Sequence, residues 1–290
     1  MWLKELDYLL LLDLKSGQYD YDIPGILSSM GVKQKLANLF IDNYKNFWFV
    51  TADRSLLFYD VKHRRLQVIE KGNSEFTRTY GIPVEMGQYK NQCWMVYESG
   101  LIRLWDYSSA EFTAQETRFL GIINRLTDRI YLHPDERGNF WLMFNHGLFF
   151  YNRMERSWRE ACRIGGLSNF FTCMDIDTEG RVWVGTSKSG LRIVDSRTFE
   201  VVTMPALELV GGGTLENDIY TVFAAPNGGI WVGTLFQGLC YYHPSMLKFP
   251  IGHTVDNNST ITNESIRCFL EDEDGSVLIG GALGLFRFHP

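Results

Sequence analysis

Between residues 170 and 251 short apolar runs alternate with turn residues at near-regular intervals. Residues 219–225 (IYTVFAA) are rich in β-branched and aromatic side chains and end at Pro226-Asn227-Gly228-Gly229. Residues 230–234 (IWVGT) make a second run, Gln237-Gly238 opens a tight connection, residues 239–243 (LCYYH) make a third run, and a weaker fourth follows at 247–251 (LKFPI). Runs of four to seven such residues bounded by Gly, Asn, Asp and Pro predict short antiparallel strands joined by hairpins. The turn glycines suit hairpins that need positive φ, and the Trp supplies a large flat apolar surface to pack between sheets.

The same four-strand pattern recurs along the chain. Gly180–Asp195 reads GRVWVGTSKSGLRIVD, and Gly229–His243 reads GIWVGTLFQGLCYYH. With the Trp as marker, copies begin at residues 2, 48, 94, 141, 183, 231 and, with Leu replacing Trp, 278, so seven units are spaced by 42 to 48 residues. A second marker, the Asp, Asn or His at 13, 60, 106, 152, 195, 243 and 289, follows each by 11 or 12 residues. Variable loops around one fixed segment are expected of stacked repeats. A period of this length with four strands and one Trp per unit predicts an all-β, seven-bladed β-propeller of four-stranded antiparallel blades. The units span about 2–22, 36–70, 82–115, 129–161, 170–204, 219–251 and 266–290. The first lacks an innermost strand and the last an outermost one. The expectation is therefore a single propeller with incomplete terminal blades, 1–290, cut from a longer chain. Leu209–Thr214 (LVGGGT) reads as a flexible excursion between two units.

Composition narrows the function more than the fold. The net charge is −6 and the chain has no basic stripe, which argues against a nucleic-acid partner. His63-Arg64-Arg65 falls at a predicted hairpin and reads as solvated. No apolar run reaches membrane-spanning length, so any membrane attachment would come through a helix outside this segment. The five cysteines, an odd number without CxxC spacing, read as free, buried thiols, four of them within strands, with a disulfide between two of them as the alternative.

The motif Leu167-Ser168-Asn169, Asp177-Thr-Glu-Gly180, Val182-Trp-Val-Gly-Thr186, Gly190-Leu191 and Asp195 resembles the two-component regulator propeller repeat. Glu216-Asn217-Asp218 with Ile230–Thr234 matches piecewise, as do Thr262–Ser265, Asp272–Gly275 and Leu278–Gly280. The WxGT core is missing at Trp48–Thr51 and Trp94–Tyr97. The resemblance implies a periplasmic sensor region of a hybrid histidine kinase from gut Bacteroidetes, responding to an oligosaccharide. It also implies a kinase outside the segment and a homodimer of the full-length protein as a plausible signalling form.

No catalytic constellation appears; GxSxG and HExxH are absent, and no cofactor is expected. The acidic run Glu271–Gly275 has the register of the Asp177–Gly180 turn, which explains it without a metal. Asn169, Asn217 and Asn263 precede the innermost strands of three units, near one mouth of a propeller channel, where they cap turns or hydrogen-bond a sugar. Phe236, between the second and third strands of the sixth unit, is a candidate to stack on a sugar ring or to join the core. Two other readings stand beside the sensor: a free-standing lyase-type propeller, which would need His, Glu and metal converging on one face, and a protein-interaction scaffold.

Overall fold

The computed structural model describes residues 2–5, 8–20, 23–123, 129–166, 168–204, 206–208, 214–216, 218–236, 238–244, 251–252, 265–282 and 284–288. They form a succession of antiparallel meanders in which each strand pairs with the next in sequence. The first sheet has three strands (Trp2–Glu5, Tyr8–Leu12, Tyr19–Asp20). Four-stranded sheets follow. The second is Leu36–Ile41, Phe47–Thr51, Leu56–Asp60 and Arg65–Glu70, and the third is Pro83–Tyr89, Gln92–Tyr97, Ile102–Asp106 and Glu111–Glu116. The fourth is Ile130–Pro134, Phe140–Phe144, Gly147–Asn152 and Ser157–Arg163, and the fifth is Phe171–Ile176, Arg181–Thr186, Leu191–Asp195 and Val201–Met204. The sixth is Ile219–Ala224, Ile230–Thr234, Leu239–Tyr242 and Ile251–Gly252. The seventh again has three strands (Ile266–Glu271, Val277–Gly281, Leu285–Phe288).

These elements gather into two compact units. One comprises Met1–Val84, Met95–Ile102 and Gln115–Ile122; the other comprises Glu85–Trp94, Arg103–Ala114 and Ile123–Pro290. In the first, the helix Ile23–Ser29 buries Ile23 and Leu27 against Phe49 and Leu57 of the second sheet. A second short helix, Glu75–Tyr80, is capped by Ser74, whose side chain accepts from the Thr77 amide, and ends at Gly81 with φ 81°. Neither helix follows from the repeat pattern, because both lie in the connections between sheets, where the repeat imposes nothing.

In the larger unit the clusters of buried side chains each draw on two consecutive sheets. Trp141, Met143 and Leu148 of the fourth sheet pack with Phe171, Val182 and Val184 of the fifth. Trp183 and Leu191 of the fifth pack with Ile219, Val222 and Val232 of the sixth. Trp231 and Leu239 of the sixth pack with Ile266, Val277 and Ile279 of the seventh. Alternate residues of a second strand thus face opposite neighbours, and the strand is buried on both faces, as in Phe140–Phe144 and Ile230–Thr234. That explains why these strands read as unbroken apolar runs while the outermost strand Val201–Met204, largely exposed, does not.

The WVGT signature decomposes into separate physical tasks. The Trp fills the space between sheets. The Gly is needed for close approach and not for positive φ: a Cβ on Gly185 would stand 2.7 Å from Ile219 Cγ2, and one on Gly233 would stand 2.6 Å from Ile266 Cγ2. Each glycine is a socket for the first residue of the next sheet's innermost strand. The Thr closes the following turn, with Thr186 Oγ1 donating to Gly190 O at 2.9 Å and Thr234 Oγ1 to Gly238 O at 2.8 Å. Gly190 and Gly238 are the positive-φ glycines of those turns. Gly233→Ala is accordingly expected to cost about 1–3 kcal/mol through overpacking. Denaturant unfolding measures it, and a change within a few tenths would remove the socket argument.

The second marker is a turn cap. Asp13, Asp106, Asn152 and Asp195 each accept through Oδ1 from the backbone amides two and three residues on. This side-chain turn holds the hairpin that follows the third strand. His243 occupies the same slot and its Nε2 lies 3.3 Å from Asn227 O; His289 lies outside the described residues. The segment read as a flexible excursion is flanked by a paired hairpin, Ala206–Glu208 with Thr214–Glu216, whose tip lies outside the described residues. All five cysteines are free; Cys93, Cys162, Cys173 and Cys240 are buried and Cys268 is exposed. Among the described residues no helix is long and apolar enough to cross a membrane.

Candidate functional site

The innermost strands of the larger unit carry what the repeat pattern does not explain. In the fifth, sixth and seventh sheets this strand is bulged near its start, with register shifts between Phe171 and Cys173, Ile219 and Thr221, and Ile266 and Cys268. A bulge inserts one unpaired residue and re-aims its side chain. The residues so placed are Thr172, Tyr220 and Arg267.

Thr172 Oγ1 donates to Ile219 O at 2.6 Å, tying the fifth and sixth innermost strands. Arg129, just ahead of Ile130–Pro134, reaches across both: its Nη1 donates to Thr172 O at 3.5 Å, and its guanidinium lies 4.0 Å from the centre of the Tyr220 ring. Further along, Asp175 accepts from the Ile176 amide at 2.8 Å and the Ala224 amide at 2.7 Å, while His133 Nδ1 stands 3.8 Å from its Oδ1. Burial raises the Asp175 carboxyl above the usual carboxylate range, with His133 acting in the opposite direction.

Glu85 belongs to the same group. Its strand runs close against Ile130–Pro134, since a Cβ on Gly87 would meet Leu132 O at 2.8 Å. The residue retains some surface, but its carboxyl is enclosed by protein, and burial pushes its pKa up to about 8 against one opposing bond from the Met86 amide. Tyr131 is raised by burial, with Arg129 lowering and Glu85 raising it. At neutral pH the enclosed Glu85 carboxyl is therefore largely protonated, and it lies in one cluster with Tyr131 and the Arg129 guanidinium stacked on Tyr220. These are hydrogen-bonding groups with an aromatic face. Burial pushes the Cys173 thiol up to about 12, which leaves it inert as a nucleophile.

The sequence candidates divide differently. Asn169 Nδ2 donates to Ser189 Oγ at 2.6 Å, and its enclosed Oδ1 has no partner among the described residues. Around it Phe170 N donates to Ser187 Oγ, Ser187 Oγ to Ser168 O, and Lys188 Nζ to Ser168 Oγ. Asn169 thus fastens the approach to the innermost strand onto its own sheet's second-to-third connection. Phe236, 65% exposed, stands in the corresponding connection of the sixth sheet. Asn217 and Asn263 lie outside the described residues. In the acidic turn, Asp274 Oδ1 accepts from the Ser276 amide at 2.9 Å, a local turn bond, and Asp272 Oδ2 accepts from Arg287 Nη2 of the blade's third strand at 2.5 Å.

Glu85, Arg129, Tyr131 and Tyr220 were not singled out by sequence. The signal was present in Arg129-Ile-Tyr131-Leu-His133, which alternates polar and apolar residues where the second strands do not. The bulge at Tyr220 hides the matching alternation in its strand.

The comparisons with known proteins agree with this architecture. Residues 165–188 match the family model described as two component regulator propeller. No curated protein matches the chain. Among solved structures, the chain is similar to one described as the extracellular domain of a hybrid two component system, BT4673, from B. thetaiotaomicron. The TM-score is 0.68 at 18% identity, covering 100% of this chain and 36% of that one. It is also similar to YCF48 from Cyanidioschyzon merolae (TM-score 0.63, 12% identity, 98% and 89% covered). The β-propeller domain of Cps50 (Swd1) from Myceliophteria thermophila is a third (TM-score 0.58, 10% identity, 87% and 82% covered). The chain spans about a third of the length of the BT4673 structure. The seven sheets are the blades of a β-propeller, the fold shared by these structures, and the first two strands of its fifth blade fall within the stretch that matches the two component regulator propeller model.

Proposed function

We propose that the chain is an extracytoplasmic ligand-recognition domain of a hybrid two-component system. In this reading it detects an oligosaccharide and passes the signal to a histidine kinase outside residues 1–290, itself catalysing nothing. The observation that carries this is the regulator-propeller repeat at 165–188. The polar and aromatic cluster at the innermost strands supports it, because Tyr131, Tyr220, Arg129 and Glu85 supply the mixture of ring faces and hydrogen bonds that a polyol needs. The reading places the domain in the periplasm, with the membrane helix elsewhere in a longer chain and a homodimer as the signalling form.

A thermal-shift and calorimetric screen of oligosaccharides tests it. One glycan class is expected to raise the melting temperature saturably, by an amount set by its concentration relative to Kd. Tyr220→Ala should weaken that binding while Phe236→Ala separates any contribution of the exposed ring. If no glycan binds and the surrounding reading frame encodes no kinase, the reading fails.

A further inference from the structure

Three consecutive innermost strands meet in a closed circuit of contacts. Arg129, leading into the fourth blade, donates through Nη1 to Thr172 O of the fifth at 3.5 Å. Thr172 Oγ1 donates to Ile219 O of the sixth at 2.6 Å. The next residue is Tyr220, and its ring centre lies 4.0 Å from the Arg129 guanidinium. The circuit returns to its start after one covalent step, from Ile219 to Tyr220.

That step is where the sixth blade constrains its own strand least. Ile219 pairs with Thr234 and Thr221 with Gly233, so Tyr220 has no partner residue in the ladder. The register of the sheet therefore does not fix the direction in which its side chain departs. Ile219 O and Tyr220 N belong to one planar peptide unit. A hydrogen bond that holds Ile219 O also holds the plane from which Tyr220 starts, and here the bond comes from the neighbouring blade.

The surroundings of Thr172 suit that task. The residue is 4% exposed, and a buried hydroxyl left without its bond would be costly. A Cβ on Gly185 would stand 2.9 Å from Thr172 Oγ1 and 2.7 Å from Ile219 Cγ2. The glycine thus leaves room for the donor as well as for the residue that accepts from it. At the same bulge position the sixth blade carries Tyr220 and the seventh Arg267. The repeat itself therefore does not call for threonine at 172; the bond to the next blade gives it a purpose.

We propose that Thr172 is a positioning residue of the recognition cluster, its hydroxyl setting the Ile219–Tyr220 peptide so that the Tyr220 ring stacks on Arg129. The inference rests on reading that cluster as the ligand site. A guanidinium already held on an aromatic face loses less side-chain freedom when a ligand binds, so the positioning strengthens binding without any contact from Thr172.

Nuclear magnetic resonance of the full chain tests this. A proton over an aromatic face is shielded, so the Arg129 Nε–H resonance, assigned through R129K, is expected to move downfield in Y220A. T172V removes the hydroxyl and should reproduce most of that displacement. T172S keeps the hydroxyl and should hold the parent resonance. A melting temperature that falls in T172V while the resonance stays in place would show that Thr172 only ties the blades, and would overturn the proposal. So would a T172S resonance displaced as far as that of T172V. Should T172V not fold, the parent and T172S decide: Overhauser contacts between the Arg129 side chain and the Tyr220 ring are expected in both, and their absence from either overturns the proposal. With a glycan from the screen, T172V should weaken binding by about tenfold, as Y220A does, and T172S much less. A glycan weakened by Y220A yet indifferent to T172V would sink the proposal and leave the sensor reading intact. If no glycan binds, the sensor reading fails, while a resonance displaced in T172V and held in T172S still supports the positioning role.

Discussion

Replacing Trp183 with alanine is expected to cost about 3–5 kcal/mol, the range for a large aromatic removed from a core. The side chain is 2% exposed and packs with Ile219, Val222 and Val232 of the next blade. Its loss opens the space between two sheets, which the short strands on either side cannot collapse to fill. The indole N–H adds a separable contribution, because it donates to a carboxylate that also holds Arg181. Trp183→Phe should therefore cost more than Trp141→Phe, since Trp141 makes no such bond among the described residues and loses only volume. The excess should be about 1.5–3 kcal/mol, the worth of a hydrogen bond to a charged group. Denaturant unfolding of the three variants measures all of this. A loss below about 1 kcal/mol for Trp183→Ala would show that the repeat has been set in the wrong register.

That register was legible because it is written by residues with a single task each. A Trp between sheets, a Gly beneath the next blade's first side chain, a Thr closing one turn and an Asp capping another cannot be exchanged freely, so they recur at fixed separations. The same economy hid the Gly's purpose. In sequence, Gly185 and Gly233 stand inside strand runs with no stated task; the structure shows that they are kept small for Ile219 and Ile266 of the neighbouring blade, and Gly185 also for Cys173 of its own. The two helices were illegible for the opposite reason, since the connections between blades carry no repeated task.

The candidate site was the least legible part. The asparagines ahead of the innermost strands drew notice because they recur, yet Asn169 secures its own blade. Arg129, Tyr131, Tyr220 and Glu85 do not recur, and they meet only because successive innermost strands lie side by side and a bulge turns Tyr220 toward Arg129. Residues that differ from blade to blade at one structural position give a repeated fold an individual surface. They are invisible to any search for the repeat.

Glu85 gives this cluster a measurable signature. Its folded pKa, about 8, lies above the 4.5 of an unperturbed glutamate. A carboxyl whose pKa is raised on folding favours the folded state while protonated. Its contribution is fully present below the unfolded value and is lost as pH rises through the folded one. At about 1.4 kcal/mol per unit, the loss between pH 4.5 and 8 amounts to roughly 3–5 kcal/mol. Glu85→Gln keeps the shape and removes the charge. The variant should match the parent near pH 4 and exceed it near pH 8, with a melting temperature several degrees higher. A difference that does not change with pH would mean that Glu85 ionises freely, and a neutral carboxyl could no longer be counted among the groups offered to a ligand.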